Sequence, residues 1–172
     1  MARVSRRGRV VRPTVIALTL LASALLSIPG TAAASPGNAT GVARPSATYL
    51  YTLQNRHTHN CVDDSYNSGL RSYPCNHLDY QKFSMPGYDA GIGTTTIQNQ
   101  HTGYCLDDSA GYGLRAIACN GQSYQAWNYI YDSSGYAVIW NNATLRVLDD
   151  SYNSGLRTYP NNPSDYQEFD IY

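Results

Sequence analysis

The pattern of apolar and polar positions predicts β-structure from Tyr49 to the end of the chain. Segments of four to six residues rich in Val, Ile, Leu, Tyr and Thr alternate with turns rich in Asn, Gly, Ser and Asp. This is the pattern of short strands joined by tight turns. No window carries a sustained apolar period of about 3.6 residues, so we expect little helix. The expected fold class is all-β.

One polar stretch recurs three times and organises the chain. Residues 63–74 and 149–160 are identical at 11 of 12 positions, and residues 107–118 are a weaker copy. Each copy is followed by an asparagine and then by Tyr-Gln-x-aromatic. The spacing of 44 and then 42 residues indicates three copies of one supersecondary unit. The predicted repeats are about 49–92, 93–135 and 136–172.

Four short strands are expected in each repeat. They centre on an apolar residue, a half-cystine segment, the second arm of a hairpin and a buried aromatic residue. In repeat 1 these are Leu53, Cys61 to Asp63, Leu70 to Tyr73 and Phe83; in repeat 2, Ile97, Cys105 to Asp107, Leu114 to Ile117 and Trp127; in repeat 3, Ile139, Val147 to Asp149, Leu156 to Tyr159 and Phe169. Units of about 40 residues are too small to bury separate cores, so we expect one shared core.

The N-terminus predicts a secreted protein. Residues 1–34 contain five arginines, an apolar run from Val15 to Ile28 and three alanines at 32–34, which together are typical of a signal peptide. An uncleaved anchor is the alternative. Residues 35–48 indicate a flexible linker. Without the signal the charge is 7 − 12 = −5, so we expect no nucleic-acid partner and no membrane insertion. We also expect a monomer.

The four cysteines predict two local disulfides. Cys61 and Cys75 are 14 residues apart, as are Cys105 and Cys119, and both pairs occupy the same repeat position. An even count at matched spacing in an exported chain favours disulfides. Zinc is disfavoured because neither pair has the short spacing of a metal site. Repeat 3 has Val147 and Asn161 in these positions and must be held by packing.

The pattern Cys-Leu-Asp, then Cys, then Gln-x-Trp, repeated in register, resembles the ricin-type β-trefoil lectin family, and most closely its actinohivin-like members. The resemblance covers residues 49–172. It implies a β-trefoil of three four-stranded repeats with pseudo-threefold symmetry. It also implies non-catalytic carbohydrate binding through up to three glycan pockets, with mannose-type or polysaccharide ligands and no cofactor or metal.

The resemblance also implies which residues contact the sugar. In each repeat an aspartate, an asparagine and a tyrosine occupy family positions, and repeats 1 and 3 add an aromatic residue before the second half-cystine slot. The expected carbohydrate-binding residues are Asp63, Tyr73, Asn76 and Tyr80; Asp107, Asn120 and Tyr124; and Asp149, Tyr159, Asn162 and Tyr166. Arg71, Arg115 and Arg157 stand where actinohivin-like members have tyrosine and join the candidate site as forked donors. Ala110 and Ile117 make the middle pocket weaker or altered.

The candidate pocket chemistry suits sugars, and the repeats support a functional role. A carboxylate and amides bond hydroxyl groups, and an aromatic ring covers an apolar sugar face. Between repeats 1 and 3 the polar loop is identical at 11 of 12 positions, whereas the segments 50–61 and 136–147 agree at only 2 of 12. Fold constraints alone would preserve strands at least as well as loops. We therefore expect Asp63→Ala with Asp149→Ala to abolish glycan binding and leave stability unchanged.

Several other readings compete with this one. Asp64, Asp108 and Asp150 directly follow the candidate acids, so a pair of catalytic carboxylates of the glycosidase type has to be considered. Adjacent strand residues point to opposite faces, which disfavours such a pair. We expect these second acids to bond backbone N–H groups in their own turns. Gln81, Gln125 and Gln167 are expected to bond the hairpins, with Trp127 buried. His57, His59, His77 and His101 do not recur together, which favours surface histidines over a metal cluster. The alternative functions are a protein inhibitor or protein-interaction module, and a targeting module for a separate catalytic chain.

Overall fold

The computed structural model describes residues 49–89, 91 and 93–172. The predicted signal peptide and linker, residues 1–48, lie outside the described residues. Within the described part of the chain, no helix has the length and apolar character needed to cross a membrane.

Fourteen strands and three single 3₁₀ turns form the regular structure of the described residues. The strands are β1 Leu50–Tyr51, β2 Leu53–Asn55, β3 Asn60–Ser65, β4 Gly69–Pro74, β5 Phe83–Ser84, β6 Thr94–Thr95, β7 Gln98–Asn99, β8 Tyr104–Ser109, β9 Gly113–Ala118, β10 Trp127–Tyr131, β11 Ala137–Asn141, β12 Val147–Ser151, β13 Gly155–Tyr159 and β14 Phe169–Ile171. The turns are Asp79–Gln81, Ser123–Gln125 and Asp165–Gln167. The all-β prediction is confirmed. The strand expected around Ile97 begins one residue later, at Gln98.

All described strand pairs are antiparallel, and they form two sheets. One has the order β1-β5-β7-β8-β9 and the other the order β13-β12-β11-β14-β2-β3-β4, with β10 pairing both β11 and β6. Each repeat contributes one long hairpin: β3–β4, β8–β9 and β12–β13. Gly69, Gly113 and Gly155 close these hairpins with φ between 64° and 68°, a conformation that costs glycine little.

The core is built from three equivalent residues of each repeat. Every one of the nine is at most 1 % exposed, so the three units share one apolar centre. They are Leu53, Val62 and Phe83; Ile97, Leu106 and Trp127; and Ile139, Leu148 and Phe169. Trp127 is buried as predicted, and its indole N–H donates to the carbonyl of Leu106 at 2.9 Å. Neighbouring repeats are therefore held together by hydrophobic burial around a common axis.

An asparagine at the start of each repeat bonds that repeat to the one before it. The Nδ2 groups of Asn55, Asn99 and Asn141 donate to the carbonyls of Tyr166, Tyr80 and Tyr124 at 2.7–2.8 Å. All three asparagines are at most 1 % exposed. A buried amide with satisfied partners fixes the relative position of the groups it joins. These bonds place the 3₁₀ turn of each repeat beside the first strand of the next.

The second acids of the repeated stretch also act between repeats, contrary to the expectation of local turn contacts. Asp64, Asp108 and Asp150 are at most 2 % exposed. Each accepts a hydrogen bond from a threonine of the following repeat, the third repeat being followed by the first. The donors are Thr102 to Asp64, Thr144 to Asp108 and Thr58 to Asp150. The prediction was wrong because residues distant in sequence supply the partners.

Both predicted disulfides are present, Cys61–Cys75 and Cys105–Cys119, with Cα atoms 5.0 and 5.1 Å apart. In repeat 3 the corresponding positions, Val147 and Asn161, line a mainly apolar groove of about 370 Å³. The remaining lining residues are Ile130, Val138, Trp140 and Leu145. Repeat 3 is thus held at this place by packing, while the other two are covalently closed.

Candidate functional site

Each repeat presents the same ion pair on its long hairpin. The strand register sets an aspartate opposite an arginine, at Asp63–Arg71, Asp107–Arg115 and Asp149–Arg157. In every pair the arginine Nε lies 2.8–2.9 Å from the carboxylate Oδ1. The carboxylate side chains are 1–3 % exposed and the arginine side chains 34–37 %. A buried carboxylate needs a bonded partner, and here the guanidinium supplies it from the solvent side.

The candidate aspartates of repeats 1 and 3 also have a second partner within the protein. In repeats 1 and 3 the second carboxylate oxygen accepts from a glutamine, Gln81 to Asp63 at 3.2 Å and Gln167 to Asp149 at 3.4 Å. Both oxygens are therefore bonded within the protein and lie beneath the surface. The direct contact between carboxylate and sugar hydroxyl that the resemblance implies stays a prediction.

Each arginine also lies over a tyrosine ring. The guanidinium carbon of Arg71 is 4.1 Å from the ring centre of Tyr73, and that of Arg157 is 4.3 Å from Tyr159. In repeat 2, where Ile117 replaces this tyrosine, Arg115 lies 4.5 Å from the ring centre of Tyr112 instead. These are cation–π distances. All three repeats thus form an acid, arginine and aromatic unit, and repeat 2 forms it with a tyrosine that the sequence reasoning did not select.

The asparagines and glutamines of the candidate site shape the loop after each hairpin. Gln81, Gln125 and Gln167 are at most 1 % exposed, and their side-chain oxygens accept from the backbone N–H of Asn76, Asn120 and Asn162 at 2.7–2.9 Å. The hairpin-bonding role predicted for the glutamines is confirmed. The Oδ1 atoms of Asn76 and Asn120 accept from Leu78 and Gln122 backbone N–H groups. The three asparagines remain exposed.

Two clusters of exposed and half-buried aromatic side chains lie where repeats meet. In the first, the ring centre of His101 is 4.2 Å from that of Tyr80 and 5.5 Å from that of Tyr66. In the second, the ring centre of His57 is 4.1 Å from that of Tyr166 and 5.5 Å from that of Tyr152. We call each of these clusters a junction groove. The first groove joins repeats 1 and 2, and the second joins repeats 3 and 1.

Two of the four histidines recur at equivalent positions, which the sequence analysis did not recognise. His57 and His101 occupy equivalent positions, in the segments Asn-Arg-His-Thr at 55–58 and Asn-Gln-His-Thr at 99–102. This shared four-residue pattern was the signal that could have identified them. Their contacts are with tyrosines of the preceding repeat, which spacing within one repeat does not reveal. The candidate tyrosines Tyr80 and Tyr166 are placed in these grooves.

The junction between repeats 2 and 3 has a different surface. Ala110 and Ala143 stand where the other junctions have the tip tyrosine and the histidine. Tyr124 is left 43 % exposed. Arg146 extends over this region, with Nε 3.0 Å from Asp108 Oδ2 and Nη2 2.9 Å from the carbonyl of Ser109. This junction thus lacks two aromatic side chains and has one added cation, while the altered middle pocket predicted from Ala110 and Ile117 stays a prediction.

The comparisons with known proteins agree with this threefold architecture. The family model described as "Ricin-type beta-trefoil lectin domain" matches residues 49–169. The chain belongs to the ricin-type β-trefoil lectin family. The comparison with curated proteins found no match to this lectin.

Solved structures show the same fold at low sequence identity to the lectin. A designed threefold-symmetric protein, ThreeFoil, is 21 % identical with a TM-score of 0.62, over 71 % of this chain and 96 % of that one. SeviL, solved bound to asialo-GM1 saccharide, is 17 % identical with a TM-score of 0.59, over 72 % and 95 %. An exo-β-1,3-galactanase from Clostridium thermocellum is 19 % identical with a TM-score of 0.63, over 74 % of the lectin and 30 % of the enzyme. The family is a carbohydrate-binding one, and the match over residues 49–169 supports carbohydrate binding by this lectin.

The site of the lectin offers hydrogen-bond donors and aromatic surface. Arginine presents a planar fork of N–H groups that bonds oxygen acceptors. The exposed tyrosines supply ring faces and hydroxyl groups. Among the described residues, no group of three or more His, Cys, Asp or Glu side chains is placed to hold a metal ion. The arrangement can bind and orient a hydroxyl-bearing ring without any covalent step.

Proposed function

We propose that this protein is a secreted, non-catalytic lectin that binds glycans through its long hairpins and the grooves beside them. The observation that carries the proposal is the repeated unit of buried acid, half-exposed arginine and tyrosine. It occurs in all three repeats, and in repeat 2 a different tyrosine supplies the ring. A purely structural ion pair would not need an aromatic ring at each copy. The guanidinium donors and the tyrosine hydroxyls suit a ring bearing hydroxyl groups.

The pockets of repeats 1 and 3 are proposed to be the intact ones. Both have Tyr73 or its equivalent Tyr159, each 41 % exposed, beside the arginine. Mannose-type glycans and polysaccharides are the proposed ligands, with Arg71 and Arg157 bonding ring or glycosidic oxygens. Single sugar sites are weak, so a branched or polymeric ligand that engages both pockets would gain in avidity by a factor of order 10²–10⁴.

A non-catalytic role is supported by the state of the acids. Asp63 and Asp64 are both at most 2 % exposed. The first is bonded to Arg71 and Gln81, and the second to Thr102. Glycoside hydrolysis needs two carboxyl groups that flank the scissile bond. These two are instead committed to contacts within the protein. Secretion is supported by the two disulfides, which persist in oxidising compartments.

A glycan array probed with the oxidised, secreted protein tests the proposal. We expect binding to one class of glycans, and we expect Arg71→Gln with Arg157→Gln to remove most of it, because the substitutions delete the exposed donors. Ser134→Ala, at an exposed position outside the arginine units and the junction grooves, is the control and should bind like wild type. Absence of binding to any glycan would contradict the proposal.

A protein-inhibitor role is the second candidate, because the hairpin tips also suit a protein surface. Tyr66, Tyr112 and Tyr152 are 66–78 % exposed, and exposed tyrosines are frequent in protein interfaces. A panel of secreted proteases and glycosidases assayed with the same preparation distinguishes the two roles. Inhibition by a protein that binds no glycan would favour the inhibitor.

A further inference from the structure

We propose that the glycan sites of this lectin are completed across the repeat junctions by His101 and His57, so that the chain has two complete sites and not three. The inference rests on the proposed glycan binding and assigns ligand contacts to two residues outside the predicted site. The first site would contain Tyr66 and Tyr80 with His101, and the second would contain Tyr152 and Tyr166 with His57.

The two junction grooves match each other closely although different repeats build them. The distances from histidine to the tyrosine beside the glutamine are 4.2 and 4.1 Å, and those to the tip tyrosine are 5.5 Å in both. Both tip tyrosines bond a backbone carbonyl of the facing segment, at neighbouring positions of the Asn-x-His-Thr pattern. The hydroxyl of Tyr66 donates to the carbonyl of Thr102 at 3.1 Å, and that of Tyr152 donates to the carbonyl of His57 at 3.3 Å. Each phenol oxygen keeps acceptor capacity for a ligand.

Side-chain hydrogen bonds link each groove to the arginine unit of the preceding hairpin. Tyr80 precedes Gln81, whose side chain bonds the carboxylate of Asp63, and that carboxylate holds Arg71. The same connection runs from Tyr166 through Gln167 and Asp149 to Arg157. In each of these two repeats the groove tyrosine and the arginine are thus positioned by one set of buried bonds.

The two residues that form the groove change together within this one chain. Where the tip tyrosine is present, the next repeat has a histidine, and where Ala110 replaces the tyrosine, Ala143 replaces the histidine. The scaffold bonds of that third junction are nevertheless intact. Thr144 still donates to Asp108, and Asn141 still donates to the carbonyl of Tyr124. The pair of tyrosine and histidine is thus not needed to join repeats. We therefore assign to it contacts with a ligand.

The chemistry of the groove suits a neutral hexose ring. Tyrosine faces pack against the C–H side of a sugar, and an imidazole nitrogen at the edge can donate to or accept from a hydroxyl group. His101 is exposed and His57 is half-buried, so both rings can contact a ligand. The ligand class is a hydroxyl-rich hexose within a larger glycan.

Calorimetric titration with a glycan identified on the array tests the inference. We expect two sites in the wild type and one in His57→Ala or in His101→Ala. In the double variant no site of wild-type affinity should remain, and any residual binding should be at least about tenfold weaker, which corresponds to the loss of a bonded contact at each site. His59→Asn alters an exposed histidine outside both grooves and should leave two sites of wild-type affinity. Unchanged titrations of the double variant would overturn the inference.

A gain-of-function pair sharpens the test. The double variant Ala110→Tyr with Ile117→Tyr restores the tyrosines of repeat 2. The triple variant adds Ala143→His, which supplies the histidine from repeat 3. We expect a third site only when the histidine is present. Equal stoichiometry in the two variants would overturn the inference. If His57 and His101 prove dispensable while Arg71→Gln with Arg157→Gln removes binding, this inference fails and the lectin function stands.

Discussion

The junction between repeats 1 and 2 differs from the junction between repeats 2 and 3 in its surface and in its buried charge. At the first, Tyr66 and His101 form an exposed groove beside Asp64. At the second, alanines replace that pair and Arg146 forms an ion pair with Asp108. Among the described residues, no lysine or arginine lies within ion-pair distance of Asp64. Burial raises the pKa of the Asp64 carboxyl, and the hydrogen bond from Thr102 opposes that rise.

This difference indicates that equivalent junctions favour different properties: one keeps an exposed aromatic surface for contacts, and the other keeps a stabilising ion pair. The junction with the aromatic groove keeps a buried acid without a strong cationic partner. The junction without the groove has gained an arginine that neutralises the equivalent acid. The asparagine and threonine bonds are the same at both, so the scaffold tolerates either solution. Substitutions at the two junctions should therefore have unequal effects.

The largest expected effect is the loss of the charge at Asp108. Asp108→Asn should lower the free energy of unfolding by about 3 kcal/mol, because it breaks a buried ion pair and disturbs bonds from Thr144 and Thr158. Asp64→Asn should cost less than about 1 kcal/mol, since an amide still accepts from Thr102 and no buried charge remains. Urea unfolding at pH 7 measures both. Equal losses would contradict the comparison.

The next largest effect concerns the first acid of the hairpin, Asp63 in repeat 1 and Asp107 in repeat 2. Asp63→Ala and Asp107→Ala should each lower the free energy of unfolding by about 2 kcal/mol, because each leaves a bonded arginine without its buried acceptor. This replaces the expectation that removal of Asp63 leaves stability unchanged. The similar ion-pair geometries, 2.9 Å in both, predict similar losses. A melting temperature unaffected by Asp63→Ala would show that the acid has no structural role.

A smaller effect is expected at a turn that each junction contains. His59, Gly103 and Leu145 occupy equivalent positions with φ of 57°, 69° and 58°. A side chain in this left-handed region costs about 1–2 kcal/mol, and glycine has a larger unfolded-state entropy. Leu145→Gly should therefore gain about 0.5 kcal/mol net, and Gly103→Ala should lose about 1 kcal/mol. Thermal and urea unfolding measure both, and opposite signs would contradict the argument.

The smallest effect is a change in the pH dependence of stability. Because the pKa of Asp64 is raised in the folded protein, the folded state binds more protons than the unfolded state above the ordinary aspartate pKa. The contribution of Asp64 to the free energy of unfolding should therefore fall as pH rises from about 4 through the raised pKa. Urea unfolding of wild type and Asp64→Asn across this range should show a flatter curve for the variant. Parallel curves would indicate that Asp64 does not titrate abnormally.

Much of the architecture was predictable from local signals in the sequence. The recurrence of residues 63–74, the spacing of the cysteines and the alternation of apolar residues predicted three repeats, two disulfides and short strands. The burial of Trp127 and the role of Gln81 followed from their repeated positions. Each of these features depends on residues close in sequence or on exact repetition, and so a single chain displays them directly.

The sequence by itself determined which residues recur, and hence the repeats, their strands and the covalent closures. Only the tertiary structure decided which recurring residues meet. The carboxylate of Asp63 is covered by an arginine because the hairpin register sets them opposite each other, and Asp64 bonds Thr102 because the repeats close around one core. His101 reaches Tyr66 for the same reason. Contacts between repeats depend on the closure of the whole chain around its axis, and no local pattern of apolar and polar residues specifies that geometry.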